Sequence, residues 1–255
     1  MKKHNMKKHN NFAELSSRGV KIFSPSENVQ PQDVCDNITL SGVCIFQNFL
    51  TMNEGDISLK KVIEEADNLL STTDLPGYRF GNAIRRNAAQ IEKASPNLFS
   101  AFVNPFFREI ARLYGMPHPG DIFLTHDFNS YQDTGDEVNG HLHYDRRQTL
   151  KFFLYLTDVD KNRGAFSVLP GSRDQGSRWR EENPKMNRIY TSQKHNTDAH
   201  RYGLEFLKND TLPIEGPVGT VIAFDSDILH FGGRVERGRE RKVARAHYRR
   251  TKEDF

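Results

Sequence analysis

The sequence is poor in cysteine, since Cys35 and Cys44 are the only two among 255 residues. Two thiols cannot supply the disulfide framework of a small secreted domain or a zinc site built from several thiolates. No apolar run approaches the ~20 residues of a membrane helix, and the polar N-terminus lacks the apolar core of a signal peptide. We therefore expect a protein with reduced thiols, located in the cytoplasm and not spanning a membrane.

A strong net charge is also missing, because 36 basic and 33 acidic residues give only +3. The positive charge is unevenly placed, however, and residues 234–252 contain only Glu236 and Glu240 as acidic residues. The basic residues of this run are Arg234, Arg237, Arg239, Arg241, Lys242, Arg245, Arg249, Arg250 and Lys252. Such a run predicts either a nucleic-acid-binding patch or an edge strand with solvated arginines on one face.

The length favours one large domain, which we place at residues 26–255. The pentamer MKKHN occurs at 1–5 and again at 6–10, and we expect residues 1–25 to be a flexible tail. A polar, arginine-rich stretch without clear periodicity covers residues 173–212. Segments of this length in a compact domain are usually functional or disordered, so we expect an inserted loop or lid.

Helical patterns come first and strand patterns follow. Apolar residues recur every three or four positions in Ser58–Leu70 and again in Pro105–Tyr114. Beyond residue 121, short β-branched and aromatic runs separated by turns predict strands at Ile122–Phe128, Leu150–Leu156, Ala165–Leu169 and Val218–Phe224. This order predicts a mainly β protein with helices (α+β), in which N-terminal helices pack on a jelly roll or sandwich.

The stretch HLHYD, residues 141–145, contains candidate metal ligands. Residues i and i+2 of a strand project to the same face, which brings His143 and Asp145 together, and equally His141 and His143. His230 follows an apolar run and a turn, and is the best candidate for a third ligand. Two histidines and one carboxylate form the ligand set of non-haem Fe(II) oxygenases.

An arginine lies where such an oxygenase needs one. Arg241 follows His230 by eleven residues on the next strand-like stretch, and a guanidinium can grip a carboxylate with two parallel hydrogen bonds. In a 2-oxoglutarate-dependent oxygenase, Arg241 would hold the distal carboxylate of that co-substrate. Arg239 is close enough to be an alternative.

These motifs together resemble the phytanoyl-CoA dioxygenase (PhyH) family of Fe(II)- and 2-oxoglutarate-dependent oxygenases. The resemblance covers residues about 40–250. It rests on Gly42–Leu50, on His143-Tyr144-Asp145, on Leu156–Ser172, and on Gly219–Asp225 with His230 and Arg241. One departure is Arg173, which follows Ser172 where many relatives have histidine.

The resemblance implies a double-stranded β-helix (jelly roll, cupin-like) with His143, Asp145 and His230 as ligands of Fe(II). It implies that Arg241 clamps 2-oxoglutarate and that Asn129 is a further contact to this co-substrate. The expected reaction consumes O₂ and 2-oxoglutarate, releases succinate and CO₂, and hydroxylates a small-molecule metabolite. Related halogenases have a small residue in place of Asp145, so we expect hydroxylation, desaturation or cyclisation and not chlorination.

The substrate pocket is less defined. We place His141, Arg146 and Arg147 beside it, and this group together with Arg173, Arg178 and Arg180 suggests an anionic substrate, although solvated loop arginines would give the same pattern. Two other functions stay open. One is a cupin-type metal enzyme or binding module without oxygenase activity, and the other is a nucleic-acid-modifying oxygenase that uses the basic C-terminal run. We favour the small-molecule oxygenase, and the sequence does not indicate an oligomeric state.

Overall fold

A computed structural model describes residues 11–52, 58–72, 78, 80–132, 142–145, 147–182 and 209–251. Its helices are α1 (Phe12–Ser17), α2 (Pro31–Ser41), α3 (Phe49–Met52), α4 (Leu59–Thr72), α5 (Ala88–Ala94), α6 (Pro96–Phe102), α7 (Pro105–Leu113) and α8 (Arg173–Glu182). Its strands are β1 (Lys21–Phe23), β2 (Val43–Phe46), β3 (Gly81–Asn87), β4 (His118–Asp127), β5 (Leu150–Tyr155), β6 (Phe166–Val168), β7 (Leu212–Ile214), β8 (Val221–Asp225), β9 (His230–Gly232) and β10 (Arg241–Arg249).

The strands form two sheets. The major sheet has the order β1-β2-β8-β5-β10-β4-β3, and the minor sheet has the order β7-β6-β9. Within the major sheet only the β1–β2 pair is parallel. An apolar cluster that includes Ile45, Phe153, Phe166 and Phe224 joins the inner faces of the two sheets. This is the two-layered arrangement of a jelly roll, and the expected mainly β fold is confirmed.

The outer face of the major sheet is covered by helices. Alternation along β10 directs Ala244, Ala246 and Tyr248 to this side, where they join a second apolar cluster with α2, α4, α6 and α7. The ring of Phe107 in α7 lies 4.2 Å from that of Phe152 in β5, and the two rings are stacked. Burying a side chain of this size stabilises a fold by about 1.5–3 kcal/mol. The packing of N-terminal helices on the β body is therefore as the sequence predicted.

Strand β10 lies inside the major sheet, between β4 and β5, so the expectation of an edge strand is wrong. Within the described part of the basic run, Arg234, Arg237, Arg239 and Arg250 are exposed, and the other basic residues are buried or half-buried. Arg241 and Arg249 are buried and pair with Asp127 and Asp121, and Lys242 pairs with Asp67. Alternating residues of a central strand face the two interior sides of the sheet, which removes these charges from solvent.

The expected extent of the N-terminal tail needs correction. The proposed flexible tail reached residue 25, but α1 and β1 are folded, and Leu15, Val20 and Phe23 are buried. Strand β1 pairs with β2 in the major sheet. These apolar residues are too sparse for a periodic pattern, so tertiary packing determines their structure. The MKKHN repeat lies outside the described residues, and a single domain over residues 26–255 stays a prediction.

The expected loop or lid at residues 173–212 begins with helix α8 and ends in β7. It is therefore not a loop at either end, while residues 183–208 lie outside the described part of the chain. In the ranges that the structure describes, no helix has the length and apolar character needed to cross a membrane.

Candidate metal centre

Backbone pairing brings the predicted ligands together. The N–H of His143 donates to the carbonyl of His230 at 3.0 Å, and the N–H of His230 donates to the carbonyl of His143 at 2.8 Å. The N–H of Asp145 donates to the carbonyl of Ser226 at 2.9 Å. Strand β9 begins at His230, as expected. The two short segments thus align antiparallel, although they are distant in the sequence.

The three side chains converge on one point. His143, Asp145 and His230 each offer a ligand atom, and these atoms lie within 4.8 Å of one another. The Oδ1 atom of Asp145 is 3.9 Å from Nε2 of His143 and 3.6 Å from Nε2 of His230. Nδ1 of His230 lies 2.7 Å from the carbonyl oxygen of Ile228. If Nδ1 carries the proton, this hydrogen bond fixes the ring and leaves the Nε2 lone pair for a metal ion.

Lys151 of β5 orients the carboxylate. Its Nζ forms an ion pair with Oδ2 of Asp145, which leaves Oδ1 directed at the histidines. Burial raises the pKa of Asp145, but opposing charges, of which that of Lys151 is the largest, outweigh it and hold the pKa well below its usual value. Asp145 is therefore ionised, as a carboxylate ligand of a metal ion would be.

The residues fit an iron(II) centre. One carboxylate oxygen and two imidazole nitrogens on one side of an ion leave the other coordination positions open, as in the facial triad. A cavity of about 150 Å³ lies directly beside the three side chains. Structural zinc sites are instead closed by four protein ligands. The site can therefore hold a metal together with a small co-ligand.

Arg241 also lines this cavity but is already engaged. Its Nε and Nη2 donate to Oδ2 of Asp127 at 3.0 and 2.8 Å, and its Nη1 donates to the carbonyl of Gly164. Burial lowers the pKa of Arg241, and the charge and hydrogen bonds of Asp127 more than offset this, so the pKa is raised. The structure thus brings Arg241 to the pocket, as expected, with a protein carboxylate on its guanidinium.

Two further cations of the cavity, Lys151 and Arg245, were missed in the sequence. Both have a recognisable signal. Lys151 lies in the otherwise apolar run LKFFLY, and Arg245 follows Arg241 with the even spacing that directs both to one face of a strand. A charge at an inward position of a central strand requires a partner or a ligand.

The other predicted pocket residues are less central. Asn129 lies two residues beyond β4, and it is not among the described residues that line the cavity. Arg147 is exposed. His141 and Arg146 lie outside the described residues. The role of these four residues stays a prediction.

Arg173, which stands where many relatives have histidine, is the first residue of α8 and binds a buried carboxylate of β8. Its Nε is 3.0 Å from Oδ2 of Asp225 and 3.0 Å from the hydroxyl of Tyr114. The hydroxyl of Tyr114 donates to the same Oδ2 at 2.6 Å. Arg173 therefore anchors α8 to β8 and the end of α7. Arg178 is exposed, and the side chain of Arg180 lies outside the described set.

Several solved structures share this architecture. The non-heme alpha ketoglutarate dependent epimerase SnoN from nogalamycin biosynthesis is 15% identical, with a TM-score of 0.54 over 86% of this chain and 81% of that one. EctD from S. alaskensis with 2-oxoglutarate and 5-hydroxyectoine is 18% identical, with a TM-score of 0.51 over 88% and 78%. EvdO2 from Micromonospora carbonacea var. aurantiaca complexed with 2-oxoglutarate is 13% identical, with a TM-score of 0.54 over 87% and 91%. At these identities the similarity shows the fold.

The sequence itself identifies the family. No curated protein matches the chain significantly. The profile of the family described as phytanoyl-CoA dioxygenase (PhyH) matches residues 39–243, which is most of the chain and includes His143, Asp145, His230 and Arg241. The chain therefore belongs to the phytanoyl-CoA dioxygenase (PhyH) family.

Proposed function

We propose that the protein is an Fe(II)- and 2-oxoglutarate-dependent dioxygenase that hydroxylates a small-molecule metabolite. The observation that carries this proposal is the convergence of His143, Asp145 and His230 beside a cavity with cationic walls. Family membership supports the oxygenase chemistry. When bound, iron and 2-oxoglutarate would supply the oxidation of a C–H bond by O₂, with release of succinate and CO₂.

The protein would contribute position and charge. The backbone pairing of His143 with His230 fixes two ligands, and Lys151 fixes the third. Phe153, Phe166 and the ring of Tyr155 supply apolar cavity walls, which limit the access of water to the reacting atoms. These residues orient the bound molecules, while the cofactor performs the oxidation.

Hydroxylation is the finer part of the proposal. Asp145 argues against chlorination but leaves hydroxylation, desaturation and cyclisation open, because an aspartate at this position would complete the triad and leave no coordination site for a halide. EctD, a protein of the same fold, is found with 5-hydroxyectoine. SnoN has this fold and is an epimerase, so product identification is needed to assign the reaction.

Two alternative functions have less support. A cupin-type binding module has no need for cations such as Lys151, Arg241 and Arg245 around a single metal site. A nucleic-acid-modifying enzyme requires an exposed basic surface, whereas Arg241 and Arg249 are buried. A cytoplasmic location remains our proposal and is consistent with Cys35 and Cys44 as free thiols.

Anaerobic titration with Fe(II) and 2-oxoglutarate tests the proposal. We expect the weak visible absorption band of the iron chelate in the wild type, and no band in Asp145→Ala or His230→Ala. Arg237→Met, which changes an exposed arginine, is the matched control and should keep the band. A wild type without the band, or an undiminished band in both ligand variants, would contradict the assignment. A screen of metabolites for succinate release would then define the substrate class.

A further inference from the structure

The turn between β8 and β9 holds two of the three candidate metal ligands. The carbonyl of Ser226 accepts the N–H of Asp145 at 2.9 Å, and the carbonyl oxygen of Ile228 lies 2.7 Å from Nδ1 of His230. Both carbonyls belong to the main chain, so their positions depend on the backbone path of the turn and not on a side-chain rotamer. A shift of the turn would therefore move Asp145 and the ring of His230 together.

The side chain of Asp225 stabilises that backbone path. Asp225 ends β8 and is fully buried. Its Oδ1 accepts the N–H of Asp227 at 3.0 Å, and its main-chain carbonyl accepts the N–H of Ile228 at 3.0 Å. An aspartate that accepts from the main chain two residues further on closes a tight turn. The orientation of the Asp225 carboxylate therefore contributes to the position of the carbonyls that contact the ligands.

Three side chains from outside the turn bind the other oxygen of this carboxylate. Oδ2 of Asp225 accepts from the hydroxyl of Tyr114 at 2.6 Å, from Nε2 of Gln148 at 2.7 Å and from Nε of Arg173 at 3.0 Å. Among the described residues, Arg173 is the one cation within ion-pair distance of this carboxylate. A buried carboxylate without a counter-ion is costly. Arg173 thus supplies the charge that keeps Asp225 in place.

Helix α8, which begins at Arg173, contacts the turn at a second point. The backbone of Gly176 lies so close to the turn that a Cβ at this position would overlap with the carbonyl oxygen of Asp227. The same Cβ would lie 3.4 Å from the Cβ of Tyr144, which stands between two of the candidate ligands in the chain. The first turn of α8 therefore packs on both segments that carry the ligands.

Given the proposed function, on which this inference rests, we propose that Arg173 is a positioning residue of the metal centre. It acts through the carboxylate of Asp225, which fixes the turn whose carbonyls orient Asp145 and His230. Arg173 is not among the described residues that line the cavity, so it influences the ligands without contact with a bound molecule. Helix α8 then supports the geometry of the ligands as well as the fold.

Two readouts of metal binding test this role under anaerobic conditions. Competition with a chromophoric chelator gives the affinity for Fe(II), and the visible absorption bands of bound Co(II) report the coordination geometry. We expect Arg173→Met to weaken Fe(II) binding by roughly 10-fold, as for other residues that orient metal ligands, and to shift the Co(II) bands. Arg173→Lys keeps a cation beside Asp225 and should restore most of the affinity.

The matched control is Arg178→Met, which changes an exposed arginine of the same helix and should match the wild type in both readouts. A merely structural role for Arg173 would lower the free energy of unfolding and leave the metal site of the folded protein unchanged. Wild-type Fe(II) affinity together with wild-type Co(II) bands in Arg173→Met would therefore overturn the inference.

A second variant covers the case in which Arg173→Met does not fold. Tyr114→Phe removes another donor to Asp225 with little change in volume, and it should weaken Fe(II) binding and shift the same Co(II) bands. Unchanged values in Tyr114→Phe would then overturn the inference. Failure of the proposed function is a different result, because the wild type itself would bind neither metal ion.

Discussion

The two faces of β5 and β10 differ sharply in chemistry. On the outer face, Phe152, Leu154, Ala244, Ala246 and Tyr248 pack in the apolar cluster under the helices. On the inner face the same strands present Lys151, Arg241 and Arg245 to the cavity, interrupted by Phe153, Tyr155 and Val243. The residues alternate one by one along each strand. The outer face mainly stabilises the fold, whereas the inner face carries the charges of the candidate metal centre.

Removing an aromatic side chain from the outer face of the major sheet should have the largest effect on stability. Phe152 is fully buried and its ring is stacked on Phe107. We expect Phe152→Ala to lower the free energy of unfolding by about 3–5 kcal/mol, because it removes buried area and leaves a cavity. Denaturant titration measures this, and Phe152→Leu is the milder control. Weaker metal binding at unchanged stability would contradict the division between the faces.

Lys151, the neighbour of Phe152 on the inner face, should affect metal binding more than stability. Lys151→Met removes the ion pair that orients Asp145, and we expect metal affinity to fall by about 10- to 100-fold, as for other partners of metal ligands. Competition with a chromophoric chelator gives the affinity. The exposed Lys161 supplies a matched control, Lys161→Met. Unchanged affinity in Lys151→Met would show that Asp145 does not need this partner.

A smaller effect is expected from a polar atom on the outer face. The hydroxyl of Tyr248 donates to the carbonyl of Phe102 at 2.7 Å in a buried setting. Tyr248→Phe should reduce the free energy of unfolding by about 1 kcal/mol, since it leaves this acceptor unsatisfied. Equilibrium unfolding measures the change, and binding of 2-oxoglutarate should stay at the wild-type level. A loss of 2-oxoglutarate binding would show that Tyr248 contributes to the site as well as to stability.

The smallest effect is expected from the exposed part of the basic run. Arg237 is exposed, and Arg237→Met should change stability by less than about 0.5 kcal/mol. It should also leave metal affinity unaltered. A gel shift with RNA and DNA at low salt tests whether this exposed surface binds nucleic acid. Salt-sensitive binding that Arg237→Met weakens would support the nucleic-acid alternative.

The sequence predicted much of the fold and the three residues that converge at the candidate metal centre. Strong periodicity predicted the region of α4 and α7, and the β-rich runs predicted β5 and β8. The even spacing of His143 and Asp145, with His230 after a strand and a turn, identified the site that the structure assembles. Local patterns suffice where the residue types are rare and their spacing is constrained.

Other features depend on packing that no local pattern shows. The region of β1 appeared to be a tail because its strand is three residues long and is stabilised by pairing with β2. The partner of Arg241 is Asp127, which is 114 positions earlier in the chain. Sequence spacing brought Arg241 to the cavity but could not show that its guanidinium is bound to Asp127.

We propose above all that His143, Asp145 and His230 hold one iron ion. Anomalous diffraction at the iron edge, from crystals grown anaerobically with Fe(II) and 2-oxoglutarate, tests it most directly. We predict a single strong peak within bonding distance of Oδ1 of Asp145 and of both Nε2 atoms. Absence of a peak there, or a peak held by other residues, would contradict the account.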